Sequence, residues 1–256
     1  MIDSHVHSHC SGDCQTPMMD ACRSAVSRGI TDITFTDHLD FEPTDLCYGF
    51  FDYDLYKRRI SEVRDAFAGQ LTINCGIEVD YAVTYQSSIE EYLADKEFDY
   101  ILGAAHYVGD TILEDHAKYF PGKAVREAYA PYFETALAAA QSGLFNALAH
   151  VDLCKRYGVL YYGPFDWSPY SEIIEQILRL VIEQGMALEI NTSGLRQAPA
   201  ESYPGRGILE LYHALGGRKV TIGSDAHRAE DVGAGIVQAS EMARDIGLAQ
   251  VSVRSL

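Results

Sequence analysis

No stretch of the chain approaches the roughly 20 consecutive apolar residues that a membrane-spanning helix needs, so no span is expected. Basic charge is also scarce: 20 Lys and Arg stand against 37 Asp and Glu, a formal net charge of −17 with histidine neutral. Such a surface repels phosphate backbones at long range and gains nothing from anionic headgroups, so neither a nucleic-acid nor a membrane partner is expected. A small anionic ligand would need local cations, either metal ions or a few placed arginines. Cysteine occurs six times (10, 14, 22, 47, 75 and 154) but never as a C-x-x-C pair. A chain of this length has core enough without staples, so reduced thiols and a cytoplasmic location are expected. The opening MIDSHVHSHCSGD has neither a basic n-region nor an apolar h-region and does not fit a signal peptide. Linkers rich in Pro, Gly or Ser are missing too, and residues 1–256 are expected to form a single domain. What remains, 47% apolar and 22% charged, is the composition of an ordinary globular protein.

What is present is a rhythm of short apolar runs rich in β-branched residues. They are IDSHVH (2–7), ITDITFTDH (30–38), LTINCGIEVDY (71–81), YILGAAHYV (100–108), LFNALAHVDL (144–153), MALEINTSG (186–194) and KVTIGSDAH (219–227). Each is nearly continuously apolar and turns polar at its C-terminal end, as buried parallel strands do. Helical patterns lie between them. Thr16-Pro17 reads as an N-cap and first helical residue, Ala21, Cys22, Ala25 and Val26 as a buried stripe, and Gly29 as the stop. Ser168-Pro169 opens a second helix that ends at Gly185, and residues 54–68 and 229–246 read as two more. The polar strand ends recur roughly every 28 to 44 residues, room for one helix and a return to the next parallel strand. The pattern describes an α/β wheel of about seven βα units, with a doubly wound open sheet as the alternative. No G-x-G-x-x-G loop follows the first run, which argues against a dinucleotide-binding fold.

The chain has nine histidines, and six of them (5, 7, 38, 106, 150 and 227) fall at the ends of those runs. Asp3, Asp13, Asp37, Glu78, Asp152 and Asp225 stand at the same level. A parallel barrel gathers all its strand ends on one face. A single histidine there is ordinarily a hydrogen-bonded polar tip. Six with interleaved carboxylates would leave too many groups wanting charge unless cations join them. His5 and His7 point to the same side of one strand and can grip one ion, and Asp225 and His227 repeat the spacing. Glu78 supplies a carboxylate, which can bridge two cations where an imidazole cannot. Nitrogen and oxygen ligands without thiolate suit zinc, manganese or iron. So many ligands fit two or three divalent ions, an arrangement that clamps a phosphoryl group and lowers the pKa of a bound water. Cys10 and Cys14 lie in the histidine-rich loop but read as buried small side chains.

In order along the chain, Asp3-Ser4-His5-Val6-His7-Ser8, Thr36-Asp37-His38, Gly76-Ile77-Glu78, Ala105-His106, Ala149-His150-Val151-Asp152 and Gly223-Ser224-Asp225-Ala226-His227 resemble the motifs of the PHP (polymerase and histidinol phosphatase) family. The resemblance runs from Ile2 to about Asp231. It implies a distorted (β/α)7 TIM-like barrel, a trinuclear metal centre at the C-terminal strand ends, and phosphoester hydrolysis. Carried over by motif, one ion takes His5, His7, Glu78 and Asp225, a second Glu78, His106 and His150, and a third Asp13, His38 and His227. His9 is a rival for the place given to Asp13, because several relatives have histidine there. His116 and His213 match no motif.

Two further segments, Ile190 to Arg196 and His150 to Gly158, resemble the histidinol-phosphatase branch, each bringing an arginine toward the phosphate. That resemblance implies hydrolysis of histidinol phosphate with Arg156 and Arg196 as phosphate-binding residues. Arginine suits a tetrahedral anion through its paired donors. The aromatic and acidic stretch from Asp40 to Tyr53 either covers the substrate's cationic end or packs on the barrel rim. Another small phosphomonoester, a phosphotyrosyl protein or a non-catalytic metal-stabilised module remain the other readings.

Overall fold

The computed structural model describes all of residues 1–256. Seven strands lie side by side in chain order: β1 (Ile2–Val6), β2 (Asp32–Phe35), β3 (Thr72–Asp80), β4 (Tyr100–Ala104), β5 (Ala147–Leu148), β6 (Ala187–Asn191) and β7 (Lys219–Gly223). Every neighbouring pair in that series is parallel. One longer helix follows each strand: α1 (Met18–Ser27), α2 (Tyr53–Ala66), α3 (Gln86–Leu93), α4 (Val125–Ser142), α5 (Ser171–Glu183), α6 (Arg206–Ala214) and α7 (Ile236–Ile246). No helix is long and apolar enough to cross a membrane. All six cysteines are buried free thiols.

The sheet curls until its two edges meet, but only at one end. At the C-terminal ends of the strands, Asp225 N donates to His5 O (2.8 Å) and His7 N to Ala226 O (3.0 Å), joining β7 to β1. At the opposite end the two strands splay, and Ala249–Gln250 pairs with Lys219–Val220 in the gap. The Gln250 amide also donates to Ile2 O (3.2 Å). Val253 then closes the floor against Tyr100, Leu102 and Ala147 inside the barrel. The result is a distorted (β/α)7 TIM-like barrel, not an open sheet. Its apolar layers lie where helices cover strands, with Ile33 and Phe35 of β2 packed with Tyr56 and Ile60 of α2 and Ala21 and Cys22 of α1. Ile77, Leu188, Ile222, Phe133 and Ile177 belong to the larger layer under the remaining helices.

Several local expectations need correction. Helix α1 starts at Met18, and its cap position, Pro17, offers no side-chain bond. The Thr16 hydroxyl instead donates to His227 O (2.9 Å), tying the first loop to the last. Val26 is exposed, and Met18 takes its place in the buried stripe. The helix expected over 229–246 is confined to Ile236–Ile246, because Gly233 and Gly235 both adopt left-handed φ and interrupt it. Ser168–Tyr170 forms a 3-10 turn before α5 proper. The strand expected within 144–153 shrinks to Ala147–Leu148, since the chain turns away at His150.

Candidate metal centre

The upper ends of the strands deliver nitrogen and oxygen donors to one small volume. His5 and His7, two apart on β1 and its extension, bring their Nε2 atoms within 2.9 Å of each other. Glu78 Oε2 lies 3.3 and 3.4 Å from those two nitrogens. Asp225 Oδ1 lies 3.6 and 3.4 Å from them. Beside this group, Glu78 Oε1 is 2.9 Å from His150 Nε2 and 3.7 Å from His106 Nε2. On the other side, Asp13 Oδ2 sits 2.8 Å from His227 Nε2 and 3.5 Å from His38 Nε2. A two-residue strand, His38–Leu39, pairs with Glu78–Val79, which holds His38 Nδ1 3.3 Å from Glu78 Oε2.

All nine side chains that the sequence analysis expects as metal ligands therefore meet: His5, His7 and Asp225 form one group with Glu78 beside it, Glu78, His106 and His150 a second, and Asp13, His38 and His227, joined by His7, a third, while Asp40, which was not expected, groups with His38 and His106. Asp13, not His9, reaches His38 and His227; the backbone N–H of His9 donates to Thr16 O (2.8 Å) and its side chain stays outside the groups. Cys10 and Cys14 stay outside them as well, the Cys14 thiol donating to His227 O (3.1 Å). His116 packs on the Tyr157 ring, and His213 lies beside Gly247.

The donor chemistry fits cations. Two imidazole nitrogens 2.9 Å apart can share one proton at most, so at least one lone pair faces inward. Burial alone would raise the Glu78 carboxyl, but His5 and His38 hold it well below the usual carboxylate range. Asp225 is likewise lowered against its burial, by His5 and His7 first. Burial, reinforced by His227 and His38, pushes His7 down toward its neutral, ligating form. The same carboxylates raise His5, His38, His106 and His227, so without ions protons answer the negative charge; divalent ions would take the place of those protons, with imidazole selecting transition metals over calcium or magnesium.

The structure also shows how the donors are braced. Glu189, buried on β6, accepts from His5 Nδ1 (2.6 Å) and from the backbone N–H of His150 (3.0 Å). It thereby fixes the His5 tautomer that leaves Nε2 facing the cluster. The sequence analysis missed this residue. The signal was available, because a carboxylate within the wholly buried strand ALEIN must have a partner. Three carboxylates grouped with the candidates brace the walls instead. Asp3 accepts from Ser224 N, Ser224 Oγ and Gly233 N, Asp37 from Ser8 and Ser11, and Asp152 from Lys155 and Gly205 N. Two of the three non-glycine residues with left-handed φ are His150 (22°) and Asp225 (52°). Such backbone costs on the order of 1–3 kcal/mol per residue and persists where its surroundings over-determine it. Here Tyr132 Oη donates to His150 O (2.9 Å), and the Asp225 N–H is held by His5 O.

Above the cluster opens a cavity of about 580 Å³. Arg156 is the one Lys or Arg in its lining, which also includes Asp40, Asp45, Glu114 and Asp115; the Asp40 carboxylate lies within 4.8 Å of donor atoms of His38 and His106. Asp40 is pushed up to about 7 by burial, with His38 opposing and Asp80 and Asp45 adding to the rise. Arg196, expected as a phosphate-binding residue, is not among the lining residues: its Nη2 donates to Ser224 O (2.8 Å), and its Nε is 3.5 Å from Asp231.

Residues 3–193 match the PHP domain model. The chain is 29% identical over 262 residues to a Deinococcus radiodurans protein named probable histidinol-phosphatase, covering 99% of this chain and 96% of the other. It is 27% identical to the histidinol-phosphatase of Lactococcus lactis subsp. lactis, covering 90% and 85%. A crystal structure of histidinol phosphate phosphatase from that organism, complexed with zinc, L-histidinol and phosphate, superposes with a TM-score of 0.90. That match has 26% identity and covers 98% of this chain and 95% of the other.

The Glu189 contacts generate a test. Glu189→Gln keeps the shape but removes the negative acceptor for His5, and its affinity for divalent transition metal should fall about 10- to 100-fold. Competition against a chromophoric chelator measures this directly; unchanged affinity would show that Glu189 does not orient His5.

Proposed function

Because the chain belongs to the PHP family of metal-dependent phosphoesterases, we propose that it hydrolyses histidinol phosphate to histidinol and inorganic phosphate. The observation that carries this reading is the lining of one cavity, where the metal donors and Arg156 meet four further carboxylates, Asp40, Asp45, Glu114 and Asp115. A phosphate dianion suits the donors and Arg156, and the ammonium and imidazole of histidinol suit the further carboxylates. A substrate with phosphate alone would leave those charges unanswered.

Three divalent ions drawn from zinc, manganese and iron are the proposed complement. His5, His7, Glu78 and Asp225 would hold one, Glu78, His106 and His150 a second, and Asp13, His38 and His227 the third. When bound, such ions neutralise phosphate oxygens and lower the pKa of water. The chain's own residues do the rest. Glu78 would be shared by two of these ions. Arg156 contributes paired donors toward the phosphate from the cavity side. Arg196 spends one of its five donors on Ser224 O, next to Asp225, and offers others from the rim. Asp45, Glu114 and Asp115 are the lining carboxylates that would pair with the substrate's cationic end. The buried free thiols suit a reducing compartment, and the cytoplasm is the proposed location.

A panel of phosphorylated metabolites tests the substrate: histidinol phosphate should be turned over with the highest kcat/KM, and a clear preference for a phosphomonoester lacking an amine would overturn the assignment. Elemental analysis of gently purified protein should approach three equivalents of Zn, Mn and Fe combined. In Glu78→Gln both the metal content and the activity should drop, the latter by orders of magnitude. Near-normal turnover of that variant would remove Glu78 as a bridge. Arg156→Ala and Arg196→Ala should each lower kcat/KM about ten- to a hundredfold with metal retained, the loss of one charge-assisted contact worth roughly 1.5–3 kcal/mol. Lysine at either position should restore only part of it.

A further inference from the structure

Lys155 is the first residue of the short helix Lys155–Tyr162, directly before Arg156, and its side chain is wholly buried. Its ammonium donates to Asp152 Oδ2 (2.8 Å) and Ser202 O (2.9 Å) and forms an ion pair with Glu201 Oε1 at 3.0 Å. It is engaged by these groups and does not line the cavity. Stability is a weak reason for such an arrangement, because a buried ion pair is often no better than the apolar side chains that would fill its place.

The partners of Lys155 suggest what it does. Asp152 belongs to the turn after β5, and Glu201 and Ser202 belong to the loop after β6. Asp152 Oδ2 also accepts from the backbone N–H of Gly205 (3.0 Å), so one carboxylate oxygen and one ammonium stitch the two loops together. On the far side of this stitch, Lys155 Nζ lies 5.2 Å from the centre of the Tyr203 ring. Tyr203 Oη in turn donates to Gln197 (2.8 Å), a cavity residue adjacent to Arg196. The first loop delivers Arg156, whose guanidinium lies 5.1 Å over the Tyr157 ring. The two arginines thus follow two neighbouring strand ends, and Lys155 bonds to the chain after both.

We infer that Lys155 is a positioning residue for the phosphate end of the substrate, clamping the turn after β5 to the loop after β6 so that Arg156 meets the phosphate. The inference rests on the reading of Arg156 as a phosphate-binding residue. Misplacing a positioned group by about an ångström is enough to cost up to a hundredfold.

The test is a double-mutant cycle in the metal-loaded protein, using Lys155→Met, Arg156→Ala and both together. In Lys155→Met, kcat/KM for histidinol phosphate should fall about ten- to a hundredfold. Inhibition by inorganic phosphate should weaken in parallel, while inhibition by histidinol and the metal content stay unchanged. In the Arg156→Ala background the same substitution should cost less than about threefold, because its effect passes through Arg156. Equal losses in both backgrounds, or a loss that follows metal content or histidinol binding, would overturn the inference while leaving the function intact. If Lys155→Met does not fold, the neutral pair Asp152→Asn with Lys155→Met takes its place in the cycle. If that fails too, Lys155 serves the fold and the inference falls. An Arg156→Ala enzyme as active as the parent would instead sink the phosphate reading of Arg156, and the inference with it.

Discussion

A single buried carboxylate faces five imidazoles. Glu78 is 1% exposed, and its two oxygens lie within 3.7 Å of ring nitrogens from His5, His7, His38, His106 and His150. Protons alone do not satisfy that arrangement, because imidazoles that all carry charge would repel one another across distances of a few ångströms. Cations placed between the carboxylate and the lone pairs resolve it, and much of the upper barrel is arranged to keep those lone pairs pointed inward. The price of holding them there is visible in the left-handed backbone at His150 and Asp225.

The form of the barrel follows from the same demand. Seven strands leave a narrower ring than eight, and this ring closes only at the end where the donors sit. The bonds from Asp225 N to His5 O and from His7 N to Ala226 O bring β1 and β7 together at the level of four of the donors. Below that level, where no functional geometry is at stake, the strands separate, and the C-terminal segment fills the wedge with Gln250 and Val253. Packing precision is concentrated at the upper rim.

Much of this was legible because parallel strands put their polar residues at one end. An apolar run that turns to His, Asp or Glu marks both the strand and the side of the barrel on which its end lies. The nine donors and their three groupings came from that pattern and from a family resemblance. What escaped depends on contacts remote in sequence. Glu189 takes its role from His5, on a strand distant in the chain, and the choice of Asp13 over His9 follows from a backbone bond to Thr16. The late start of α7 reflects Gly233, whose N–H is taken by Asp3 (2.8 Å) at the opposite end of the chain. Local propensity carries no record of such partners. Arg196 was expected to bind phosphate, and the sequence held no sign that its guanidinium is engaged by Ser224 O and Asp231 outside the cavity lining.

The chain's overall charge and its proposed substrate are reconciled by scale. A net charge of −17 acts over distances comparable to the Debye length, about 8–10 Å at ordinary ionic strength, and there it disfavours polyanions. Inside the cavity the balance changes over a few ångströms. The donors are placed to recruit positive ions, Arg156 adds a fixed guanidinium, and Asp45, Glu114 and Asp115 line the same cavity as further carboxylates. Under the proposed function, a ligand anionic at one end and cationic at the other finds a partner for each within that lining, over distances at which the contacts outweigh the charge of the chain as a whole.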